Sequence, residues 1–358
     1  MEYRKLGRTG LDVGPIGLGT EHLENSRDTI EQVIHTAVDG GVNYIDLLSS
    51  DPQRDADFGD NFGPVLRAHR DKLILAARWG DPYRYPDLDY CQRCFEGILE
   101  RVGNGYVEVG MLFTVDTETK WNEWGQKSVE CLLRCQKEGR IGYIGMTSHR
   151  APVSIKAVNS GLLEVLMCPL YLTSHPRVED GALFQACADQ GAGLVAMKPY
   201  GGGVLLRAKD EVNSPTPIQC LHYVLSLPVS TTVPGVRNAE ELRAALHYWE
   251  ATDEEKEYHS IIPHVRHYLV GQCTYCNHCL PCPQGIAIGH TIYLVDEVPW
   301  TLFDELVAEY AALEVKASEC TECGVCIDRC PFDVDIIAKM RQAVKLFEAS
   351  AGQKQVQR

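Results

Sequence analysis

Short apolar runs alternate with helical hydrophobic stripes along the first 250 residues of the chain. Apolar residues at positions i, i+3, i+4 and i+7, as at Ile30, Val33, Ile34 and Ala37, predict an amphipathic helix. The apolar runs have the length of buried strands. They span residues 14–20, 43–48, 72–80, 107–113, 143–149, 164–172, 193–201 and 229–235.

Eight buried strands that alternate with helices predict an α/β fold, a (β/α)8 TIM barrel over residues 1–255. The second connection, residues 49–70, lacks a clear helical period. A doubly wound open sheet is the alternative, but no GxGxxG motif lies between a strand and its helix. In a barrel, the functional groups are expected at the C-terminal ends of the strands.

Eight of the fifteen cysteines lie in two runs, CTYCNHCLPCP (273–283) and CTECGVCIDRCP (320–331). In ferredoxins with two clusters, the cysteine before proline in each run binds the cluster of the other run. This spacing predicts two [4Fe–4S] clusters, whereas a zinc site needs only two CxxC pairs. The first cluster is assigned to Cys273, Cys276, Cys279 and Cys330, and the second to Cys320, Cys323, Cys326 and Cys282.

The first run departs from the common bacterial pattern, because two residues rather than three separate its third and fourth cysteines. The cysteine-rich segment predicts a small ferredoxin-like dicluster domain at residues 256–350, followed by a disordered tail at 351–358. Such clusters carry single electrons, so a redox partner protein is expected. Their sensitivity to oxygen suggests an anaerobic setting.

The composition narrows the partners and the compartment. The chain has 34 Lys and Arg against 49 Asp and Glu, a formal charge of -15, which argues against nucleic acid and anionic membranes. No apolar stretch approaches the roughly 20 residues of a membrane span. The opening MEYRKLGRTG lacks the apolar core of a signal peptide. Many cysteines in a long chain with this opening indicate reduced thiols in the cytoplasm.

Several segments resemble the aldo-keto reductase family, in particular the subset with a C-terminal ferredoxin-type extension. They are MEYRKLGRTGLDVGPIGLGT (1–20), GVNYIDL (41–47), KEGRIGYIGMTSH (137–149) and TTVPGVRNAEEL (231–242). The resemblance implies a (β/α)8 barrel that binds NADP(H) across its mouth and reduces carbonyls. It also implies a catalytic tetrad of Asp, Tyr, Lys and His.

The tetrad is mostly replaced in this chain. Asp46 matches the Asp, but Asp51 lies near the place of the Tyr, Arg78 replaces the Lys and Phe113 replaces the His. The family's tyrosine is the general acid that protonates the developing alkoxide. Arg78 has no such tyrosine to activate, and Phe113 cannot donate a hydrogen bond. Carbonyl reduction by the family mechanism is therefore not expected.

Other polar residues offer a nucleotide site or a substitute acid. The family's Ser-Asn pair, which holds the nicotinamide, reads Thr147-Ser148 here, so NADP(H) stays an open possibility. The residues that fit the clasp on the adenosine phosphate are Gly235, Arg237, Asn238 and Glu241. Candidates for a substitute acid, or for ligands of another cofactor, are the residues at predicted strand ends, His149, Tyr171, Lys198 and Tyr200.

These observations predict an iron–sulfur oxidoreductase whose barrel exchanges electrons, through two [4Fe–4S] clusters, with a bound small-molecule substrate or cofactor. Asp46 and Arg78 are included among its catalytic candidates. Two alternatives stay open at this point. The chain is either a non-catalytic electron-transfer subunit of a larger complex, or an NADP-dependent carbonyl reductase with accessory clusters.

Overall fold

A computed structural model of the chain describes residues 2–47, 52–80, 87–116, 118–172, 178–203, 205–206, 214–262, 264, 271–273, 279–298, 303–330 and 332–349. Asp51, Cys276 and the tail 351–358 lie outside these residues. The chain divides into two compact units, Met1–Ile262 and Pro263–Arg358, whereas the sequence predicts a boundary at residue 255.

The first unit is a closed parallel barrel. It begins with an antiparallel pair, β1 (Arg4–Lys5) and β2 (Asp12–Val13). Eight parallel strands follow in sequential order. They are β3 (Leu18–Gly19), β4 (Tyr44–Leu47), β5 (Ile74–Arg78), β6 (Val107–Leu112), β7 (Ile141–Thr147), β8 (Val165–Pro169), β9 (Gly193–Met197) and β10 (Thr231–Val233).

Parallel bridges from Ile16 to Thr232 and from Gly19 to Gly235 join the first barrel strand to the last. The sheet therefore closes on itself. The predicted (β/α)8 barrel is confirmed, and the open-sheet alternative is wrong.

Helices cover the outside of the barrel. They are α1 (Arg27–Asp39), α2 (Pro52–Ala68), α3 (Leu88–Arg101), α4 (Glu118–Lys120), α5 (Gln126–Lys137), α6 (Ala151–Asn159), α7 (Val178–Gln190), α8 (Pro217–Leu225), α9 (Ala239–Leu246) and α10 (Asp253–Lys256). Helix α1 buries the four residues of its predicted stripe, and Ser26 caps its N-terminus by accepting a hydrogen bond from the Thr29 amide. Helix α2 fills the connection that showed no clear period, although Pro64 lies inside it.

The N-terminal end of the barrel is filled by side chains. Leu6 and Val13 of the opening pair belong to the same buried cluster as Val109, Val165 and Val195 of the strands. The turn after β1 packs directly on the start of β9, because a Cβ atom on Gly7 would lie 2.2 Å from the Gly193 nitrogen. Space for a ligand is therefore expected at the opposite, C-terminal end of the strands.

The second unit is a small helical domain. It contains α11 (Ile288–Glu297), α12 (Phe303–Ala312), α13 (Val325–Asp328) and α14 (Ile336–Ala343). Its core includes Ile292, Leu294 and Met340, together with the buried Cys279 and Cys326. In the described part of the chain, no helix is long and apolar enough to cross a membrane.

Candidate functional site

A cavity of about 620 Å³ opens at the C-terminal ends of the barrel strands. This volume lies within the range of about 300–1,000 Å³ that is typical of small-molecule sites. Seven of the predicted site residues line it, namely Asp46, Arg78, Lys198, Tyr200, Gly235, Arg237 and Glu241. The barrel therefore brings together residues that are almost 200 positions apart in the sequence.

A buried ion pair lies at the cavity wall. Arg78 Nη2 donates to Asp46 Oδ2 at 2.7 Å, and both side chains are less than a tenth exposed. The guanidinium carbon lies 4.9 Å from the centroid of the Phe113 ring. Arg78 and Phe113, which the resemblance puts at the places of the family's lysine and histidine, therefore contact each other.

Three polar atoms near this pair are buried without a hydrogen-bond partner in the described part of the chain. They are the Tyr44 hydroxyl, Asp46 Oδ1 and Arg78 Nε. Burial, with the charge of Asp46 as a smaller contribution, raises the pKa of Tyr44 well above its usual range. Unsatisfied buried groups of this kind are costly unless they meet water or a ligand, so the wall keeps hydrogen-bonding capacity for one of them.

We expect Arg78→Met to destabilise the barrel by about 3–5 kcal/mol, because it leaves the buried Asp46 carboxylate without its counterion. Urea denaturation followed by circular dichroism would measure this loss. The matched control is Lys5→Met, which removes the cation of the exposed pair Lys5–Asp12 and should cost at most about 1 kcal/mol. Equal losses in the two variants would contradict the burial of the Asp46–Arg78 pair.

A second group of charged side chains connects the loops after β6, β7 and β9. His149 Nδ1 lies 3.0 Å from Asp116 Oδ2, and the His149 amide donates to Asp116 Oδ1 at 2.6 Å. The Ser148 hydroxyl also donates to Asp116 Oδ1. On the other side of the imidazole, Lys198 Nζ lies 2.9 Å from Nε2. Two predicted residues, His149 and Lys198, therefore contact each other directly, and a residue that was not predicted, Asp116, holds the other side of His149.

The pKa of Asp116 lies well below its usual range. Burial raises this pKa, but the adjacent His149 side chain, the hydrogen bonds from His149 and the nearby Lys120 outweigh the burial. The sequence contained a signal for this residue. Asp116 ends the segment MLFTVD, three residues after Phe113, and matches the aspartate of the pattern LLHxxD that the resemblance to the family implies.

The two predicted tyrosines differ in position. Tyr200 lines the cavity, but its hydroxyl is buried without a hydrogen-bond partner among the described residues. Burial raises its pKa far above the usual range, which makes Tyr200 a poor proton donor near neutral pH. Tyr171 is half-buried near Gly201 and does not belong to the described wall of the cavity.

Most of the residues predicted to hold NADP(H) make hydrogen bonds with one another. Arg237 Nε donates to Glu241 Oε1 at 2.7 Å, and the Arg237 amide donates to Glu241 Oε2 at 2.8 Å. Asn238 caps α9 by accepting from the Glu240 and Glu241 amides. Ser148, at the place of the nicotinamide-binding asparagine, donates to Asp116. NADP(H) binding by these residues stays a prediction.

The cysteines of the second unit are arranged around a pocket. Cys282 of the first run lines it together with Cys320, Cys323 and Cys326 of the second run. This is the ligand set that the crossed assignment predicted for one cluster. Apolar side chains, including Ile286, Ile336 and Met340, complete the pocket wall.

Backbone contacts support the crossed arrangement for the other cluster. The Gly271 amide donates to the Phe332 carbonyl at 2.7 Å, which brings the segment before Cys273 to the segment after Cys330. Arg329 Nη1 also donates to the Pro281 carbonyl at 2.9 Å. Of this ligand set, Cys279 is buried and Cys273 and Cys330 are half-buried, whereas Cys276 lies outside the described residues.

The thiols fit a polynuclear cluster better than a single ion. Four cysteines surround one pocket, and the two runs hold eight cysteines, more than one zinc site needs. Soft thiolate ligands in this number suit iron–sulfur clusters.

Comparisons with known proteins agree with the fold and the two-part organisation. The profile of the Aldo/keto reductase family matches residues 13–219, more than half of the chain, and the profile of the 4Fe-4S dicluster domain matches residues 272–335. The cluster prediction thus agrees with an independent sequence comparison.

Two relatives come from Bacillus subtilis (strain 168), the uncharacterized oxidoreductases YrpG and YqkF. YrpG is 25% identical over 57% of this chain and 68% of its own length. YqkF is 27% identical over 68% of this chain and 89% of its own length. The holo form of aldo-keto reductase AKR11C1 from Bacillus halodurans superposes with a TM-score of 0.61 at 20% identity, covering 74% of this chain and 96% of that one.

The parallel barrel, the match over residues 13–219 and the cysteine-rich second unit agree. The chain is an oxidoreductase that belongs to the aldo/keto reductase family and carries a C-terminal 4Fe-4S dicluster domain.

Proposed function

We propose that the chain is a reductase driven by one-electron donors. The second unit takes up electrons from a low-potential redox protein, and the barrel uses them to reduce a small molecule bound in the cavity of about 620 Å³. The two [4Fe–4S] clusters, when bound, supply single electrons. The barrel residues bind and orient the substrate and supply protons.

The observation that carries this proposal is the contact between Arg78, Asp46 and Phe113. A guanidinium is not deprotonated in proteins, so Arg78 cannot take part in proton transfer as a lysine does. Arg78 Nη2 donates to Asp46 Oδ2 over 2.7 Å, and the Phe113 ring covers the guanidinium. These three residues offer fixed charge and shape, but none of them replaces the tyrosine acid that the family's hydride transfer to a carbonyl uses.

The alternatives have less support. An NADP-dependent carbonyl reductase would need the Arg237 and Ser148 side chains, which are hydrogen-bonded to Glu241 and Asp116. An electron-transfer subunit without catalysis gives no reason for a cavity with unsatisfied buried polar groups at Asp46 and Arg78. A bound substrate with polar atoms would satisfy those groups.

A comparison of electron donors tests the proposal. Anaerobic protein is assayed with reduced methyl viologen on a panel of carbonyl and activated-alkene compounds, beside a Cys323→Ser variant that removes a predicted cluster ligand. We expect reduction of at least one class of compound by the wild type and its loss in the variant. Equal rates in the two proteins would contradict the proposal.

The metal content gives a separate prediction. Protein prepared without oxygen should contain about eight iron and eight sulfide per chain, as expected for two [4Fe–4S] clusters. Iron and acid-labile sulfide analysis measures this directly. Stoichiometric zinc without broad visible absorption would show that the cluster assignment is wrong.

A further inference from the structure

We propose that Lys198 is the proton donor of the barrel site, and that His149 and Asp116 hold its ammonium group in position. The inference rests on the proposed function, because it names the acid for a reduction that one-electron donors drive. Lys198 is the catalytic residue in this account, and the other two are positioning residues.

Lys198 is the member of this group that reaches the substrate space. It lines the cavity that Asp46 and Arg78 also line, and its side chain is exposed. An ammonium group carries three N–H donors. One of them is directed at His149 Nε2 over 2.9 Å, which leaves two for a bound substrate.

The hydrogen bonds around Asp116 determine which nitrogen of His149 carries the proton. Asp116 Oδ1 already accepts from the His149 amide and the Ser148 hydroxyl, and Oδ2 lies 3.0 Å from Nδ1. A carboxylate can only accept here, so the imidazole proton lies on Nδ1. The lone pair on Nε2 is then free to accept from the Lys198 ammonium and to fix its direction.

The backbone of Lys198 points to a functional reason for a lysine at this position. Its φ is 58°, in the left-handed region that lysine rarely adopts. The residue follows the last residue of β9 and precedes Pro199, which disfavours the right-handed helical conformation. Glycine would adopt this conformation without strain, so the lysine is present at a conformational cost.

Other groups at the cavity are less suitable acids. The Tyr200 hydroxyl is buried with a raised pKa, and the Arg78 guanidinium does not release protons. His22 also lines the cavity, close to Gly235 at the predicted nucleotide end. His22 is therefore the rival donor, and it serves as a comparison in the test.

The step balances as a reduction by two electrons and two protons. A reduced viologen or a ferredoxin-type protein supplies the two electrons, one at a time. The π bond of a carbonyl or activated alkene breaks. An N–H bond of the Lys198 ammonium also breaks, and its proton forms a new bond to an atom of the reduced substrate. The second proton comes from water. Water also reprotonates the neutral amine of Lys198, whose side chain is exposed.

The decisive variants are Lys198→Gly and Lys198→Arg, assayed with reduced methyl viologen. Lys198→Gly suits the left-handed backbone, and Lys198→Arg keeps the charge but releases no proton. Both should lose about 10²–10⁴ in rate, as expected for a lost general acid. Lys156→Met, which removes an exposed lysine paired with Glu118, should leave the rate unchanged. A wild-type rate in Lys198→Arg, or loss of activity in His22→Gln instead, would overturn the proposal.

Chemical rescue separates proton donation from charge. Added ethylammonium should raise the rate of Lys198→Gly by about tenfold or more over its rate without the cation, because ethylammonium supplies an N–H proton. Tetramethylammonium has the same charge but no proton, and it should restore nothing. Equal rescue by the two cations would overturn the role of Lys198 as a proton donor.

The positioning role has a readout that does not depend on turnover. ¹⁵N NMR of histidine-labelled, oxidised holoprotein, with the resonance assigned by His149→Gln, should show the proton on Nδ1. In Asp116→Asn the amide can donate to Nδ1, so the proton should move to Nε2 and the rate should fall about 10²-fold. A proton on Nε2 in the wild type would overturn the inference.

The two proposals fail in different ways. Donor-driven reduction that persists without Lys198 would remove this inference and leave the proposed function intact. Absence of any donor-driven reduction in the wild type would remove both.

Discussion

With NADPH as the sole reductant, the chain should reduce simple aldehydes and ketones at least about 10⁴-fold more slowly than family members with an intact tetrad. Loss of the tetrad's tyrosine acid, which Arg78 and Phe113 do not replace, typically costs about 10²–10⁴ in rate. Loss of the hydrogen-bond donor to the developing oxyanion costs about 10²–10³ more. Phe113, whose ring covers the Arg78 guanidinium, stands where that donor is expected.

The measurement is steady-state NADPH oxidation with product analysis, beside a family member with the full tetrad as the positive control. Phe113→His is an informative variant, because it restores a donor without restoring the acid. It should remain slow. Rapid NADPH-dependent reduction by the wild type, undiminished after removal of the clusters, would favour the carbonyl reductase alternative.

Cys282→Ala should abolish the cluster of the second run, although Cys282 belongs to the first run. The pocket explains this expectation, because Cys282 lines it together with Cys320, Cys323 and Cys326. An all-thiolate cluster that loses one of four protein ligands is expected to be lost or degraded. Iron content should fall by about half, from two clusters to one.

Cys330→Ala is the reciprocal variant, and it should damage the cluster of Cys273, Cys276 and Cys279. Cys220→Ala, at a buried cysteine of the barrel, is the matched control and should retain its full iron content. Electron paramagnetic resonance of the reduced proteins would distinguish the two remaining clusters. The same remaining cluster in both variants would show that the crossed assignment is wrong.

The fold was predictable because its strands are buried on both faces. Strands such as Val165–Pro169 and Gly193–Met197 are buried throughout, and they read as continuous apolar runs. Helix α2 was harder to predict, because its sequence, which includes Pro64, shows no clear apolar stripe. The order of the elements required a helix there even though the local pattern did not indicate one.

The candidate site was predictable in part. Asp46 and Arg78 were identified from their positions in the family pattern, and the cysteine pairing followed from spacing. Asp116 was missed although it matches the aspartate of the family pattern, because its partner His149 lies 33 positions later in the sequence. Only the closure of the barrel brings the loops after β6, β7 and β9 together.

The nucleotide-binding role of Arg237 and Glu241 stays a prediction. Arg237 and Glu241 are four positions apart, a spacing at which opposite charges on a helix often pair. The resemblance favoured a phosphate-binding role for Arg237, whereas the structure pairs its guanidinium with Glu241. The side chains of Tyr171 and Tyr200 likewise could not be located from sequence, since their exposure depends on neighbouring loops.

The most direct test of electron flow through the chain follows the clusters themselves. Protein is reduced by viologen, freed of excess donor and mixed without oxygen with each compound of the substrate panel, while visible absorption and product are recorded together. The account predicts that, with a substrate, the oxidised cluster absorption returns as product forms, with two electrons lost per product molecule. Clusters that stay reduced while product accumulates, or that stay reduced across the whole panel, would contradict it.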